Sequence, residues 1–195
     1  MLEIYFGPMK SGKSLRLLNT AFDLKSRGVS YLAIKPSLDT RDGKFIYSRG
    51  REQKVSAVKV RTTTNIVPLI IKHKVKNLLI DEIMLFDSGI VAVLAYCRIE
   101  NIDVYAAGLD LDFRRKSFVL PSPKGQDYTL DMADIIAEFD LKTQLTATCD
   151  VCGKTALYTQ RLFAGKPAPD DSPVVQVGDD EYEPRCGACY IGQKI

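Results

Sequence analysis

The sequence predicts an α/β protein, a mostly parallel sheet flanked by helices and followed by a small metal-bound module. Three observations predict it. Short apolar, β-prone segments alternate with segments whose apolar residues recur at helical spacing. A glycine-rich phosphate cradle lies between the first such strand and the first such helix. Two Cys-x-x-Cys pairs stand near the C-terminus, separated by 33 residues.

The first strand is read in Leu2-Glu3-Ile4-Tyr5-Phe6. The first helix follows, with Leu15, Leu18 and Phe22, and Leu17, Ala21 and Leu24 beside them, at helical spacing. Between the two, Gly7-Pro8-Met9-Lys10-Ser11-Gly12-Lys13-Ser14 fits the pattern G-x-x-x-x-G-K-S/T at every position. Glycine lets the chain bend there so that several backbone N–H groups face one phosphate, and the helix N-terminus adds partial positive charge. Lys13 is expected to reach the β- and γ-phosphates, and the Ser14 hydroxyl to ligate Mg2+.

Gly28 is read as the C-terminal cap of this helix, and Val29 to Ile34 as a second strand. Strand ends of an open parallel sheet face the ligand crevice, which places Asp39 and Arg41 beside it, Arg41 as a phosphate donor or an ion-pair partner. The basic stretch from Asp42 to Arg61 reads as a mobile loop followed by a brief strand around Val55 to Val60, a nucleotide clamp or a solvated face. Asn65 is expected to cap a helix through His73, with Pro68 in its first turn. His73 is the only histidine and lies among lysines, so a His-dependent triad is excluded. Val75 to Ile80 is an apolar strand running straight into Asp81-Glu82, the arrangement that brings a carboxylate to a cradle-bound Mg2+. Asp81 is assigned to the metal and Glu82 to accepting a proton from an attacking hydroxyl. The alternative is an acidic N-terminus for a helix spanning 83 to 97. Ile102 to Gly108 is a further strand, Asp131 to Phe139 a short helix and Leu141 to Thr148 a last strand. Phe113 and Phe118, past a strand end, are placed to stack on a base or to fill the core.

With 195 residues, 26% charged and 46% hydrophobic, the chain suits an ordinary domain plus a small module. Apolar runs are interrupted by charges before they could span a bilayer, so no membrane association is expected, and a cytoplasmic location is. A net charge of +3 is too mild to imply nucleic-acid binding, and no nucleic-acid partner is expected. Of five cysteines, Cys97 sits in an apolar helical stretch as an inert thiol. The pairs Cys149/Cys152 and Cys186/Cys189 have the spacing of a closed, four-thiolate Zn2+ site, which would tie together the ends of the long excursion between them.

These residues resemble the type II, or cellular-type, thymidine kinases. The resemblance runs from Ile4 to Tyr190 and rests on the cradle, Lys35-Pro36 with Asp39-Thr40-Arg41, Ser48-Arg49, Asp81-Glu82, Gly108-Leu109-Asp110 with Asp112-Phe113, Thr159-Gln160-Arg161-Leu162 and both cysteine pairs. It implies a P-loop, RecA-like domain over residues 1–145 and a zinc-binding lasso over 146–195 that closes over the nucleoside. It implies transfer of the ATP γ-phosphoryl group to the 5′-hydroxyl of thymidine, and of deoxyuridine, with Glu82 as general base and Ser14 and Asp81 at Mg2+. Gly7, Pro8, Met9, Lys10, Ser11, Gly12, Lys13, Ser14, Asp39 and Arg41 would hold the ATP phosphates. Met9, Leu85, Leu109, Phe113, Phe118, Thr159, Val174, Val175, Gln176, Val177 and Tyr182 match the nucleoside pocket, and a homotetramer is implied. The sequence departs from the family at Met84 and Leu85, where glutamine and phenylalanine are common, and at Val177, where a glycine is usual. An altered nucleoside or nucleotide substrate, and a zinc-ribbon nucleic-acid-dependent ATPase, stand as alternatives.

Overall fold

The computed structural model describes residues 1–40, 43–48, 53–125, 127–175 and 182–190. In chain order the first elements are β1 (Leu2–Phe6), α1 (Lys13–Ser26), β2 (Leu32–Pro36), β3 (Phe45–Tyr47), β4 (Lys54–Ser56), β5 (Val58–Val60), α2 (Ile66–His73) and β6 (Asn77–Ile80). There follow α3 (Ile90–Ile99), β7 (Asp103–Gly108), β8 (Val119–Leu120), β9 (Leu130–Asp131), α4 (Met132–Ala137) and β10 (Leu141–Gln144). The last are β11 (Ala147–Thr148), β12 (Thr155–Ala156), β13 (Tyr158–Phe163), β14 (Lys166–Pro167) and β15 (Tyr182–Arg185).

Six parallel strands form the main sheet in the order β10-β1-β7-β6-β2-β5. Successive side chains of a strand leave opposite faces, so each central strand feeds two cores. On one face Ile4, Ile34, Leu78, Ile80 and Val104 pack with Ile66 and Ile70 of α2 and Ile90, Leu94 and Cys97 of α3. On the other, Ala33, Leu79 and Ala107 meet Leu17, Leu18, Ala21 and Leu24 of α1. The small alanines let α1 sit close over the sheet, directly behind the loop that begins it. Cys97 is fully buried, and burial pushes its thiol up to about 12, as expected of an inert core cysteine.

Several expected elements are corrected. The second strand begins at Leu32 rather than Val29, because the Val29 N–H still bonds the Leu24 carbonyl as α1 closes over Gly28 at φ +68. The basic stretch is an antiparallel hairpin, β3 against β4, plus β5 in the main sheet. Its apolar residues Ile46 and Val55 are buried against α1, and Lys54 lies 4.4 Å over the Phe45 ring. Asn65 does not cap α2 with its side chain, whose oxygen instead accepts from Thr62 Oγ1 at 2.8 Å. The expected helix over 83–97 is a single 3-10 turn, Ile83–Leu85, then a break before α3. Asp87 makes that break by accepting the Thr63 and Gly89 N–H groups, both at 3.1 Å. The last strand ends at Gln144, after which β11 pairs with β12 outside the main sheet. His73 is exposed at the end of α2. No helix among the described residues is long and apolar enough to cross a membrane.

Candidate active site and metal centre

The loop between β1 and α1 wraps the N-terminus of α1 at the carboxyl end of the sheet. Its geometry requires glycine at Gly7, where φ is +140 and an added Cβ would lie 2.1 Å from the Leu145 carbonyl oxygen. Gly7→Ala is therefore expected to destabilise the fold by about 3 kcal/mol or more, a loss measurable by urea unfolding. Lys13 is buried, and its Nζ donates to the Gly7 carbonyl at 3.0 Å, the Pro8 carbonyl at 2.5 Å and Ser11 Oγ at 3.3 Å.

β6 delivers Asp81 to this loop. Its carboxylate is buried and accepts from the Ser14 hydroxyl at 3.4 Å. A hydroxyl and a carboxylate side by side are hard oxygen donors of the kind Mg2+ takes, so the donor set fits that ion. Glu82, the next residue, has the left-handed backbone φ 49, ψ 49, which turns the chain so that its side chain joins a different wall from that of Asp81. At the end of β2, Asp39 pairs with the fully buried Lys35 at 2.8 Å, and Lys35 also donates to the Phe45 carbonyl at 3.2 Å. That pair fastens the hairpin to the sheet. Asp110, at the end of β7, has its carboxyl pushed above the ordinary range by burial, against the pull of Lys13.

A cavity of about 60 Å³, partly open to solvent, begins at the loop. Its walls include Met9, Glu82, Leu85, Leu109, Phe113, Phe118, Thr159, Val174, Val175 and Tyr182, so ten residues expected at a nucleoside or catalytic site converge on it. Arg41, Gln176 and Val177 lie outside the described residues. Met84, where the sequence departs from the family, also lines it, and two wall residues were not assigned to the site from sequence: Leu111 and Asp112. The Met84 sulfur lies 3.4 Å from the Leu109 N–H. Leu109, Leu111 and Phe113 alternate along the segment after β7, the pattern from which Leu111 could have been found. Asp112 takes two bonds from the Arg114 guanidinium, at 2.6 and 2.8 Å, and accepts the Arg114 and Lys116 N–H groups, so it shapes the segment that carries Phe113.

Among the described residues, the C-terminal module meets the loop at Met9 and at Lys10. The Met9 N–H donates to Thr159 Oγ1 at 3.0 Å, and Lys10 pairs with Asp150 at 2.8 Å. Tyr190 anchors the other side, its hydroxyl donating to the Phe113 carbonyl at 2.5 Å, while Arg115 lies 4.1 Å over the Tyr158 ring. Between these contacts the Sγ atoms of Cys149, Cys152, Cys186 and Cys189 lie within 4.8 Å of one another, with Cys152 and Cys186 at 3.6 Å. Tetrahedral Zn2+ with bonds of about 2.3 Å needs sulfur separations of about 3.8 Å, so the four thiols fit the ion.

A family model described as thymidine kinase matches residues 1–190. The chain is 36% identical over 187 residues to the thymidine kinase of Onion yellows phytoplasma (strain OY-M), an alignment covering 95% of this chain and 84% of that protein. With the thymidine kinase of Aster yellows witches'-broom phytoplasma (strain AYWB) identity is 37% over 191 residues, again 95% and 84% of the two chains. With that of Mycoplasmoides gallisepticum it is 32% over 186 residues, 95% of this chain and 78% of that one. A phosphate loop, paired strand-end carboxylates, an aromatic cavity and a four-thiol cluster thus coincide with a match over nearly the whole length, and the chain belongs to the thymidine kinase family, a family of nucleoside kinases.

Proposed function

We propose that this protein transfers the γ-phosphoryl group of ATP to the 5′-hydroxyl of thymidine, and also of deoxyuridine. The observation that carries the reading is the shared wall: Met9 of the phosphate loop and Glu82 line the same cavity as Phe113, Phe118, Thr159 and Tyr182. A nucleoside held there has its sugar end toward the loop. Residues Gly7 to Ser14, together with Arg41, bind the ATP phosphates, whereas Asp39, expected among them, is buried against Lys35 and anchors the neighbouring strand end instead. Ser14 and Asp81 are the residues that would hold Mg2+, which when bound neutralises charge on the phosphates. Glu82 accepts the 5′-hydroxyl proton as the new O–P bond forms and the bond from the γ-phosphorus to ADP breaks. Phe113 and Phe118 pack on the base, and the segment from Val174 to Val177 reads its edge through backbone groups.

In this reading residues 1–145 are the ATP-binding domain, and 146–195 form a lasso whose two ends are tied by structural Zn2+ at Cys149, Cys152, Cys186 and Cys189. The separate pairing of β11 to β15 supports the division. By family resemblance the enzyme works as a homotetramer in the cytoplasm. A second reading, the same transfer to another nucleoside or to a nucleoside monophosphate, draws support from Met84, which gives the cavity an adaptable thioether where the family commonly has an amide.

Phosphoryl transfer from labelled ATP with Mg2+ to thymidine, deoxyuridine, the other deoxynucleosides and thymidine monophosphate separates the readings. Transfer confined to thymidine and deoxyuridine is expected. A preference for the monophosphate or for a purine nucleoside would establish the second reading instead, and zinc-replete protein that phosphorylates none of them would remove both.

A further inference from the structure

Strand β13 carries Thr159 and Arg161 two residues apart, so both leave the same face of the strand. Thr159 engages the phosphate loop through Met9. Arg161 engages the opposite part of the cavity. It is only 3% exposed, its Nη1 donates to the Pro173 carbonyl at 2.7 Å, and its guanidinium carbon lies 5.6 Å from the centre of the Phe113 ring and 6.0 Å from that of Tyr182. Phe113 and Tyr182 both line the cavity, as do Val174 and Val175, which directly follow Pro173. One buried cation thus stands behind wall residues from Phe113 and from the 173–182 stretch, some sixty residues on, without lining the cavity itself.

A buried guanidinium is costly unless its surroundings compensate the charge, and here carbonyl and aromatic faces do so from several directions. The planar fork can stack on a ring and donate in its own plane at once, which an ammonium cannot. Resting on the reading of the cavity as the nucleoside site, we infer that Arg161 is a positioning residue for nucleoside recognition. It sets the spacing between Phe113, Tyr182 and the segment 173–175, and so decides how tightly the base is gripped, without touching the substrate.

The test is steady-state kinetics on full-length, zinc-replete Arg161→Met and Arg161→Lys, varying thymidine and ATP in turn, with metal content measured on the same samples. Arg161→Met is expected to raise the KM for thymidine about tenfold or more while the KM for ATP stays within about twofold. Arg161→Lys, with the charge restored but not the fork, is expected to fall between it and the wild type. A folded, metal-replete Arg161→Met with unchanged thymidine KM overturns the inference, as does a parallel decline in both substrates' parameters, which marks a structural role only. Should Arg161→Met fail to fold, Arg161→Lys is combined with Phe113→Leu. Non-additive effects on thymidine KM support the inference and additive ones overturn it. Wild-type protein that phosphorylates no nucleoside overturns the reading of the cavity itself, a result visible before any variant is made.

Discussion

Glu82→Gln is expected to lower turnover by about 100-fold or more while leaving the fold and ATP binding intact. Gln keeps the size and the hydrogen-bonding reach of Glu but cannot take up a proton. Glu82 holds a left-handed backbone, φ 49, ψ 49, a conformation that disfavours a long side chain, and it does so on the wall of the cavity one residue after a buried carboxylate. The turn gives two adjacent acids two addresses: Asp81 faces Ser14, and Glu82 faces the cavity. Strain of this kind persists where the surrounding structure enforces it, here between a fully buried strand and the 3-10 turn at Ile83–Leu85. A 100-fold loss corresponds to about 2.7 kcal/mol of transition-state stabilisation. The measurement is kcat with saturating thymidine and ATP, beside nucleotide binding by the inactive variant. Turnover within a few-fold of wild type would remove Glu82 from proton transfer.

Removing the metal is expected to abolish thymidine phosphorylation, by about 100-fold or more, without unfolding the six-stranded sheet. Among its described residues the module has little apolar core of its own: the buried cluster there consists of Cys149, Ala156 and Cys186, with Ala147 and Cys189 packed against it. The cysteines are the core, and four thiols held together without an ion would contribute little. Zinc binding to such thiolates supplies on the order of 10 kcal/mol. With it gone, the contacts from the module to Met9, Lys10 and Phe113 lose their footing. The main sheet's fully buried clusters, by contrast, are built from residues up to Phe139, and Val174 is the module residue packed against them among the described residues. Chelation, or Cys186→Ser, should therefore leave the principal thermal transition nearly in place while activity vanishes. Zinc should restore activity after chelation, and added magnesium should not. Lowering the pH has the same direction of effect, because protons compete with the metal for the thiolates. Full activity in metal-free protein would show that the cluster has no structural task.

What could be read from the sequence divides along physical lines. The loop from Gly7 to Ser14 was legible because its chemistry is local: contiguous residues, a strand before and a helix after. The cysteines were legible because ligand type and spacing are nearly sufficient to specify a site, and the four thiols do meet. The hairpin β3–β4 was obscured because its strands are three residues each and their charges read as a solvated run, although Ile46 and Val55 alternate correctly toward α1. The break before α3 was obscured because Ile83 to Phe86 continue an apolar run, and the only local mark is Asp87-Ser88-Gly89, whose bonds to Thr63 depend on tertiary placement. In the cavity, Phe113 and Phe118 carried a recognisable signal, and Leu111 a weaker one, its alternation with Leu109 and Phe113 along the segment after β7. The task of Arg161 depends on Phe113 meeting Pro173 and Tyr182, which no local pattern records.

The position of β1 in the sheet has a consequence for how the chain comes to fold during synthesis. β1 is made before the other strands of this sheet, yet its neighbours are β7, with Leu2 opposite Val104, and β10, with Glu3 opposite Leu141. Closing such distant pairs costs loop entropy that nearer contacts do not, and parallel pairing of this range is slow. The strand that carries the phosphate loop therefore waits for most of the polypeptide to emerge. β2 and β6 can pair earlier, with Leu32 opposite Leu78, and serve as the template onto which β7 and then β1 dock. A chain ending before Leu141 would leave β1 with an open parallel edge and would be prone to association through it.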